Sequence, residues 1–201
     1  APDPELSDVK YSQIKVLDEN SNLPTTQAVT NVYNATTDNP AESLLQMYRN
    51  GTLDEDMYTD VVTTEIAQNG YRLFFDVLLN NSEEKAVLWH CTGGKDRTGT
   101  ATVLLLSALG VDRETILNDF ALTNNFNQKK IAYMGKKAME LTQNADEIDG
   151  VMYLTGVNRN FMEKTLSYIE NSYGSVEKYL INVLGLTKAD ILKLQDMYLT
   201  K

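Results

Sequence analysis

Apolar residues recur through most of the chain at the three- and four-residue spacing of amphipathic helices. This pattern predicts helices in the ranges 40–50, 54–68, 71–79, 98–109, 112–122, 128–141, 158–171, 176–184 and 188–198. Two segments show strand patterns instead. In 9–17, Ile14 and Val16 alternate with polar neighbours, and the apolar run 86–89 is too short for a helix.

Turn and capping residues indicate where these helices begin and end. Asn39, Pro40 and Glu42 fit an N-cap, a first-position proline and an N3 acid, and Asn50-Gly51 would close that helix. The pair Asn69-Gly70 would separate the second helix from the third. Further signals are N-caps at Asp112, Ser175 and Thr187, a polar loop up to Asp38 and a polar break at 143–149.

The element order favours one α/β domain over residues 1–201. The run 86–89 is typical of a strand buried on both faces, as in a central, mostly parallel sheet flanked by helices, and the C-terminal half is helix-rich. A sheet of only two strands is marginal. We therefore expect that N-terminal strands are missing from this chain, or that a second polypeptide supplies them.

Acidic residues outnumber basic ones by 28 to 18, and the net charge is -10. A generic binder of nucleic acid or of anionic membranes needs a basic field, so any anion must be held locally here. The single Cys excludes an intramolecular disulfide. No apolar run approaches the roughly 18 residues of a transmembrane helix. A cytoplasmic protein and a secreted one without its signal peptide both remain open.

The stretch AVLWHCTGGKDRTGT at 86–100 contains the only Trp, His and Cys of the chain. A helix that begins after a glycine-rich turn directs unpaired backbone N–H groups at a phosphate-sized anion. A nucleotide-binding GxxxxGK[ST] loop would need Gly at position 89 and Ser or Thr at 96, where this chain has Trp89 and Asp96. Cys91 and Arg97 instead have the spacing that places a thiol below one phosphate and a guanidinium beside it.

The segment HCTGGKDRTG at 90–99 resembles the catalytic loop HCxxGKDRTG of bacterial cysteine-dependent phosphatases at every fixed position. Looser similarity extends to DFALTN at 119–124, YGSVEKYL at 173–180 and LGL at 184–186. The resemblance implies a cysteine-phosphatase-like fold and a phosphoric monoester hydrolase. Its substrates would be phosphotyrosine, alone or with phosphoserine and phosphothreonine, or phosphoinositides, and it would need no metal or other cofactor.

The chemistry assigns roles within this loop. Cys91, as a thiolate, would attack phosphorus and form a phosphocysteine that water later hydrolyses. Arg97 would bind two phosphoryl oxygens, and Thr98 would hydrogen-bond the sulfur. By resemblance, His90 shapes the loop and the thiol pKa. The residues expected to bind substrate are Thr92, Gly93, Gly94, Lys95 and Thr98.

The leaving oxygen needs a proton donor, and two carboxylates compete for that role. Asp96, inside the loop, is the donor that the bacterial branch suggests, and we favour it. Asp18, just after the segment 9–17, occupies a position where related phosphatases often carry their acid. Lys95 and Asp96 could also be an ordinary solvated turn pair.

Four lysines form the one basic concentration of this acidic chain, on a flank of the helix 128–141: Lys129, Lys130, Lys136 and Lys137. A solvated helix face is the simpler interpretation. If the flank borders the pocket, it and Lys95 would favour a phosphoinositide head group over a phosphopeptide.

Two other functional classes also use an anion-binding loop. A phosphate-binding pseudophosphatase would keep the loop and lose a catalytic group, but Cys91, Arg97 and Thr98 are all present. A sulfurtransferase of the rhodanese type would need its Cys but not the arginine that Thr98 and Gly99 follow. Both alternatives are therefore disfavoured and stay open to experiment.

Overall fold

A computed structural model describes residues 7–17, 38–51, 55–81 and 85–200. Over these ranges the chain forms ten α-helices: α1 (Glu42–Arg49), α2 (Met57–Thr63), α3 (Glu65–Leu79), α4 (Asp96–Ala108), α5 (Arg113–Phe126), α6 (Gln128–Met139), α7 (Ala145–Thr155), α8 (Arg159–Tyr173), α9 (Val176–Asn182) and α10 (Lys188–Tyr198). Among the helices of the described ranges, none is long and apolar enough to cross a membrane.

The helix α4 lies between two apolar clusters. Leu104 and its neighbours on one face pack with residues of α3, α9 and α10, including Phe75 and Leu180. Val103 on the other face packs with residues of α2, α5 and α8, including Phe120 and Met162. Because α4 contacts both clusters, the loop that precedes it has a rigid base.

A third apolar cluster belongs to α1, α6 and α7, which we call the α1/α6/α7 unit. Its buried members are Ala41, Leu45, Met134, Ala138 and Val151. On the surface of the unit, Arg49 of α1 donates two hydrogen bonds to the Glu147 carboxylate of α7, at 2.7 and 2.9 Å. The unit thus has its own core beside the two clusters that surround α4.

Local capping signals predicted the helix starts well. The side chains of Asp112, Ser175 and Thr187 accept hydrogen bonds from the first turns of α5, α9 and α10, which confirms all three predicted caps. The predicted N-cap at Asn39 is wrong by two positions: α1 begins at Glu42 with Ala41 at the N-cap, and the Asn39 side chain accepts from the backbone N–H of Ala41.

The predicted break at Asn69-Gly70 is wrong, because α3 runs through it. The break lies at Thr64, whose side chain caps α3. Gly70 has a packing role instead: a Cβ there would lie 2.3 Å from the carbonyl oxygen of Lys15. The predicted polar break at 143–149 is also partly wrong, since α7 begins at Ala145 after the Asn144 cap.

The predicted α/β fold with a central, mostly parallel sheet is wrong, because the described residues are largely helical and contain no strand. Val87 and Trp89 pack against the core. Leu88 between them is 89% exposed, so the segment is buried on one face only. Ile14 and Val16 pack on the same core. The alternation correctly identified inward residues, but a strand also needs a neighbour for its backbone groups, and neither segment has one among the described residues.

Without a sheet in the described ranges, the expected supply of strands by a second polypeptide gains no support. The inward apolar side chains of the two predicted strands pack against helices instead. Trp89 shows how: its ring meets Phe74 of α3 at a centroid distance of 5.3 Å, and its indole N–H donates to Thr102 Oγ1 of α4 at 3.3 Å.

Candidate active site

The loop 91–95 leads directly into α4, which begins at Asp96, two residues before the predicted start. Gly94 has φ of +63°, a conformation that L side chains rarely adopt. The first backbone N–H groups of a helix have no intrahelical partner, and they carry the positive end of the helix dipole. Arg97 and Thr98 lie in this first turn, so the anion site that the sequence predicts would lie at the N-terminus of α4.

Cys91 is a half-buried free thiol at the start of this loop. Burial raises the pKa of Cys91, but hydrogen bonding from the side chain and backbone of Thr98, the charge of Arg97 and the backbone of Gly93 together lower it to about 7. A substantial fraction of Cys91 is therefore thiolate at neutral pH, and the thiolate is the nucleophilic form.

Arg97 lies within the electrostatic reach of the thiol and across the loop from it. Its guanidinium Nη2 donates to Thr92 Oγ1 at 3.1 Å. This contact brings together the two ends of the loop, and it leaves further guanidinium N–H donors for an anion. Arg97 and Cys91 are thus brought to the same site, as their spacing predicted.

The Thr98 hydroxyl is buried and has no hydrogen-bond partner at standard geometry. It nevertheless lies close enough to Cys91 to lower the pKa of that thiol. A buried hydroxyl with no other partner, seven positions after Cys91, is available to donate to the sulfur when it is charged.

The Asp96 carboxylate, at the first residue of α4, is held by two neighbouring side chains. Tyr58 of α2 donates to its Oδ1 at 3.0 Å, and Lys95 Nζ lies 3.1 Å from its Oδ2. Burial raises the pKa of Tyr58 well above its usual value, and the Asp96 charge adds to this rise, while a backbone hydrogen bond with Asn158 opposes it. Tyr58 therefore remains a hydrogen-bond donor to Asp96.

The Lys95 side chain makes its contacts away from the loop glycines, at the end of α7 and with its neighbour Asp96. Its ammonium donates to the carbonyl oxygens of Leu154 at 2.9 Å and Gly156 at 2.8 Å, at the C-terminal end of α7. Lys95 was predicted to bind substrate, and in this structure its ammonium is already occupied. Thr92, Gly93 and Gly94 are exposed at the mouth of the loop, where an anion could reach them.

Several residues that support the site were not found by sequence reasoning. Tyr58 of α2 donates to Asp96, and Asn124 of α5 bonds Val157, beside the Gly156 carbonyl that Lys95 contacts. The buried Tyr71 phenol lies near the first turn of α4, and burial raises its pKa. Gly99 allows α4 to approach α5, since a Cβ there would lie 2.6 Å from Phe120. No spacing or motif links Tyr58 or Tyr71 to the loop.

The remaining predicted residues have different outcomes. The exposed His90 has its Nδ1 3.3 Å from the Cys91 carbonyl oxygen, so it contacts the loop backbone. Asp18, the rival general acid, lies outside the described residues. On α6, Lys137 pairs with Glu140 at 2.7 Å. The exposed residues of that flank are Lys129, Lys130 and Lys136.

Comparison with known proteins gives relatives of one kind. The chain is 35% identical over 120 residues to a candidate tyrosine-protein phosphatase of Cupriavidus necator, an alignment that covers 57% of this chain and 40% of the relative. It is 29% identical over 126 residues to the triple specificity protein phosphatase PtpB of Mycobacterium tuberculosis, covering 57% and 44%. For a tyrosine-protein phosphatase of Nostoc commune the identity is 28% over 119 residues, covering 56% and 39%.

The aligned region is thus less than half the length of each of these relatives. The match to the family as a whole is more extensive. The sequence profile of the tyrosine phosphatase family matches residues 2–200, which is nearly the entire chain. This match extends through α4, with Cys91 and Arg97 at its N-terminus, and through the helices that surround it. The chain therefore belongs to the tyrosine phosphatase family.

Proposed function

We propose that this chain is a cysteine-dependent phosphatase that hydrolyses phosphate monoesters through a phosphocysteine intermediate on Cys91. The observation that carries the proposal is the thiol itself. Cys91 lies at the N-terminus of α4 within reach of the Arg97 charge, and its pKa is lowered to about 7 in spite of burial. A structural cysteine needs neither this environment nor the adjacent arginine.

In the first chemical step, the Cys91 sulfur forms a bond to phosphorus as the ester P–O bond breaks. The leaving oxygen takes a proton from an acid, for which we favour Asp96, with Asp18 as the alternative. Arg97 and the N–H groups at the start of α4 stabilise the charge on the phosphoryl oxygens. Water then gives its proton to the same carboxylate and attacks phosphorus, the S–P bond breaks, and the Cys91 thiolate is restored.

The names of the relatives indicate which substrates to test. Two relatives are named as tyrosine phosphatases, and one as a triple specificity protein phosphatase. We propose phosphotyrosine in proteins as the primary substrate of this chain. Phosphoserine, phosphothreonine and phosphoinositides are further substrates to compare with it.

Hydrolysis of p-nitrophenyl phosphate tests the reaction. We expect turnover by the wild-type protein and its loss in Cys91→Ser, by about 10⁴-fold or more, because the nucleophile is removed. Leu88→Ala is a matched control, since Leu88 lies three positions before Cys91 and is 89% exposed. Activity that survives in Cys91→Ser would refute the proposal. Phosphate binding without turnover in the wild type would indicate a pseudophosphatase, and transfer of sulfur from thiosulfate to cyanide would indicate a rhodanese-type enzyme.

A second experiment concerns the substrate. Turnover of a phosphotyrosine peptide, a phosphoserine peptide and phosphoinositide vesicles is compared in the wild type and in a variant with Lys129, Lys130, Lys136 and Lys137 all changed to Gln. If the α6 lysines recruit a multiply phosphorylated head group, this variant loses turnover of the phosphoinositide and keeps that of the peptides. Equal losses on all three substrates would contradict such a role.

A further inference from the structure

The Lys95 side chain is only 17% exposed, although it belongs to the catalytic loop. Its ammonium has three N–H donors. Three oxygens surround it: the carbonyls of Leu154 at 2.9 Å and Gly156 at 2.8 Å, and Asp96 Oδ2 at 3.1 Å. These contacts use all three donors. A phosphate could therefore be bound by Lys95 only at the expense of one of them.

The two carbonyls that Lys95 contacts lie where α7 ends. The last carbonyls of a helix lack intrahelical partners and carry the negative end of its dipole, so a buried cation is favoured there. A cation at this position usually comes from the last turn of the same helix. Here it comes from the catalytic loop, 59 positions before Leu154.

Other side chains hold the same segment, residues 154–158, which we call the α7–α8 junction. Asn124 of α5 accepts from the Val157 N–H at 2.8 Å and donates to the Val157 carbonyl at 2.9 Å. A Cβ on Gly156 would lie 2.4 Å from Asn124 Oδ1, so only glycine leaves room for this pair. Tyr58 interacts with the backbone of Asn158 while it donates to Asp96. The α7–α8 junction is therefore held by several hydrogen bonds with the catalytic loop and the surrounding helices.

The junction is also the point where the α1/α6/α7 unit meets the catalytic loop. The apolar cluster of this unit contains no residue of α4. Apolar side chains of α7 pack in the cluster of the α1/α6/α7 unit. Lys95 belongs to the loop and contacts the terminal carbonyls of α7. It also contacts the carboxylate of its neighbour Asp96. The same ammonium therefore contacts both the end of α7 and the Asp96 carboxylate, so a shift of the α1/α6/α7 unit would change the orientation of that carboxylate.

From these contacts we infer that Lys95 is a positioning residue: it fastens the C-terminal end of α7 to the catalytic loop and orients Asp96. It is not a ligand of the substrate phosphate. The contact itself stands on the geometry, whereas its importance for turnover rests on the proposed phosphatase function. The chemical consequence is that removal of the ammonium loosens the junction and leaves the phosphate site intact.

Hydrogen exchange and oxyanion binding of Lys95→Met test this inference. Methionine keeps a long unbranched side chain without the charge. We expect the amides of Thr155, Gly156 and Val157 to exchange on the order of tenfold faster than in the wild type, because three hydrogen bonds to a charged group are lost. Binding of orthovanadate should weaken by less than about threefold, since Cys91 and Arg97 remain. Lys188→Met, on the exposed first turn of α10, is the matched control and should leave junction exchange unchanged.

A second variant reaches the junction from the other side. Gly156→Ala places a methyl group against Asn124 and should accelerate exchange of the same amides, with Lys95 still present. In steady-state assays with an alkyl phosphate, whose leaving oxygen needs a proton, a positioning role lowers kcat of Lys95→Met and leaves KM nearly unchanged. A phosphate ligand would raise KM instead.

Wild-type junction exchange in Lys95→Met would overturn the inference, and so would a loss of orthovanadate affinity of about tenfold or more. The exchange measurement does not depend on turnover. An inactive wild-type protein with accelerated exchange in Lys95→Met would therefore refute the proposed phosphatase function and still support the contact.

Discussion

The two sides of the catalytic loop are built from different parts of the chain. On the side of the nucleophile, the contacts are local: Arg97 donates to Thr92, five positions away. On the side of Lys95 and Asp96, the contacts are distant: Lys95 reaches Gly156, 61 positions away, and Tyr58 reaches Asp96 across 38 positions.

One half of the site thus depends on contacts that are local in sequence, and the other half depends on tertiary contacts. The local side follows from a helix N-terminus and the spacing of a short motif, so it is fixed once α4 begins at Asp96. The distant side depends on how α2, α5 and α7 pack around that terminus. Changes on the local side should therefore act on chemistry, and changes on the distant side should act on the position of groups. The predictions below examine this division.

Arg97→Lys should have a large effect that is confined to chemistry. Lysine keeps the charge but lacks the planar pair of donors, so we expect kcat/KM for p-nitrophenyl phosphate to fall by about 10³-fold. The melting temperature should stay close to that of the wild type, because Arg97 donates its hydrogen bond within the described residues to an exposed threonine. A loss of less than about tenfold would contradict the role of Arg97 in binding two phosphoryl oxygens.

Asp96→Asn tests the proton donor at the border between the two sides. If Asp96 is the acid, turnover of an alkyl phosphate should fall by about 10²- to 10⁴-fold, and turnover of p-nitrophenyl phosphate much less, because nitrophenolate leaves without a proton. Asp18→Asn is the companion variant.

The leaving-group dependence decides between the two acids. Sensitivity to the leaving group that appears in Asp18→Asn and not in Asp96→Asn would assign the acid to Asp18.

Tyr58→Phe removes the donor to Asp96 Oδ1 and leaves the carboxylate in place. We expect a smaller loss from it than from Asp96→Asn, of about tenfold or less, since the hydrogen bond orients the acid and does not transfer the proton.

Thr98→Val changes the pH dependence on the local side. Burial raises the pKa of Cys91, and the Thr98 side chain is one of several groups that together lower it to about 7. Its removal should therefore raise that pKa and move the acid limb of kcat/KM to higher pH. At pH 6 the variant should be several-fold slower than the wild type, and near pH 9 the two should converge, because both are then thiolate.

The fold of Thr98→Val should be unaffected, because the hydroxyl that it removes has no partner at standard geometry. Thr102→Val is a suitable control: it removes a hydroxyl of the same helix that bonds Trp89 and the Thr98 carbonyl. An acid limb that stays in place in Thr98→Val would show that this hydroxyl does not act on the sulfur.

The same division explains what the sequence could predict. Caps such as Asp112 and Thr187 were predicted correctly because each acts within one helical turn. That Cys91 and Arg97 lie close together could be predicted because their spacing is local. The sheet was predicted wrongly, since the alternation at Ile14 and Val16 and the short apolar run 86–89 indicate residues that pack on the core and give no information on whether a neighbouring strand exists.

The distant partners of the site could not be predicted for a related reason. Lys95 was expected to bind substrate because it lies in an anion-binding loop, and nothing near it in sequence indicates the α7 carbonyls. Gly156 gives no signal either: its role depends on the approach of Asn124, which is known only from the packing of α5. Tertiary contacts of this kind are invisible to spacing rules.

The two loop glycines provide the smallest and most local test. Gly94 has φ of +63°, so Gly94→Ala should destabilise the protein by about 1 kcal/mol through backbone strain. Gly93→Ala is its matched control, since a Cβ there meets Lys95 Cγ at an ordinary 3.5 Å. Urea unfolding of the two variants measures the difference. Equal stability would mean that the turn into α4 does not require Gly94, and the loop geometry would then depend on the distant contacts of Lys95 and Asp96.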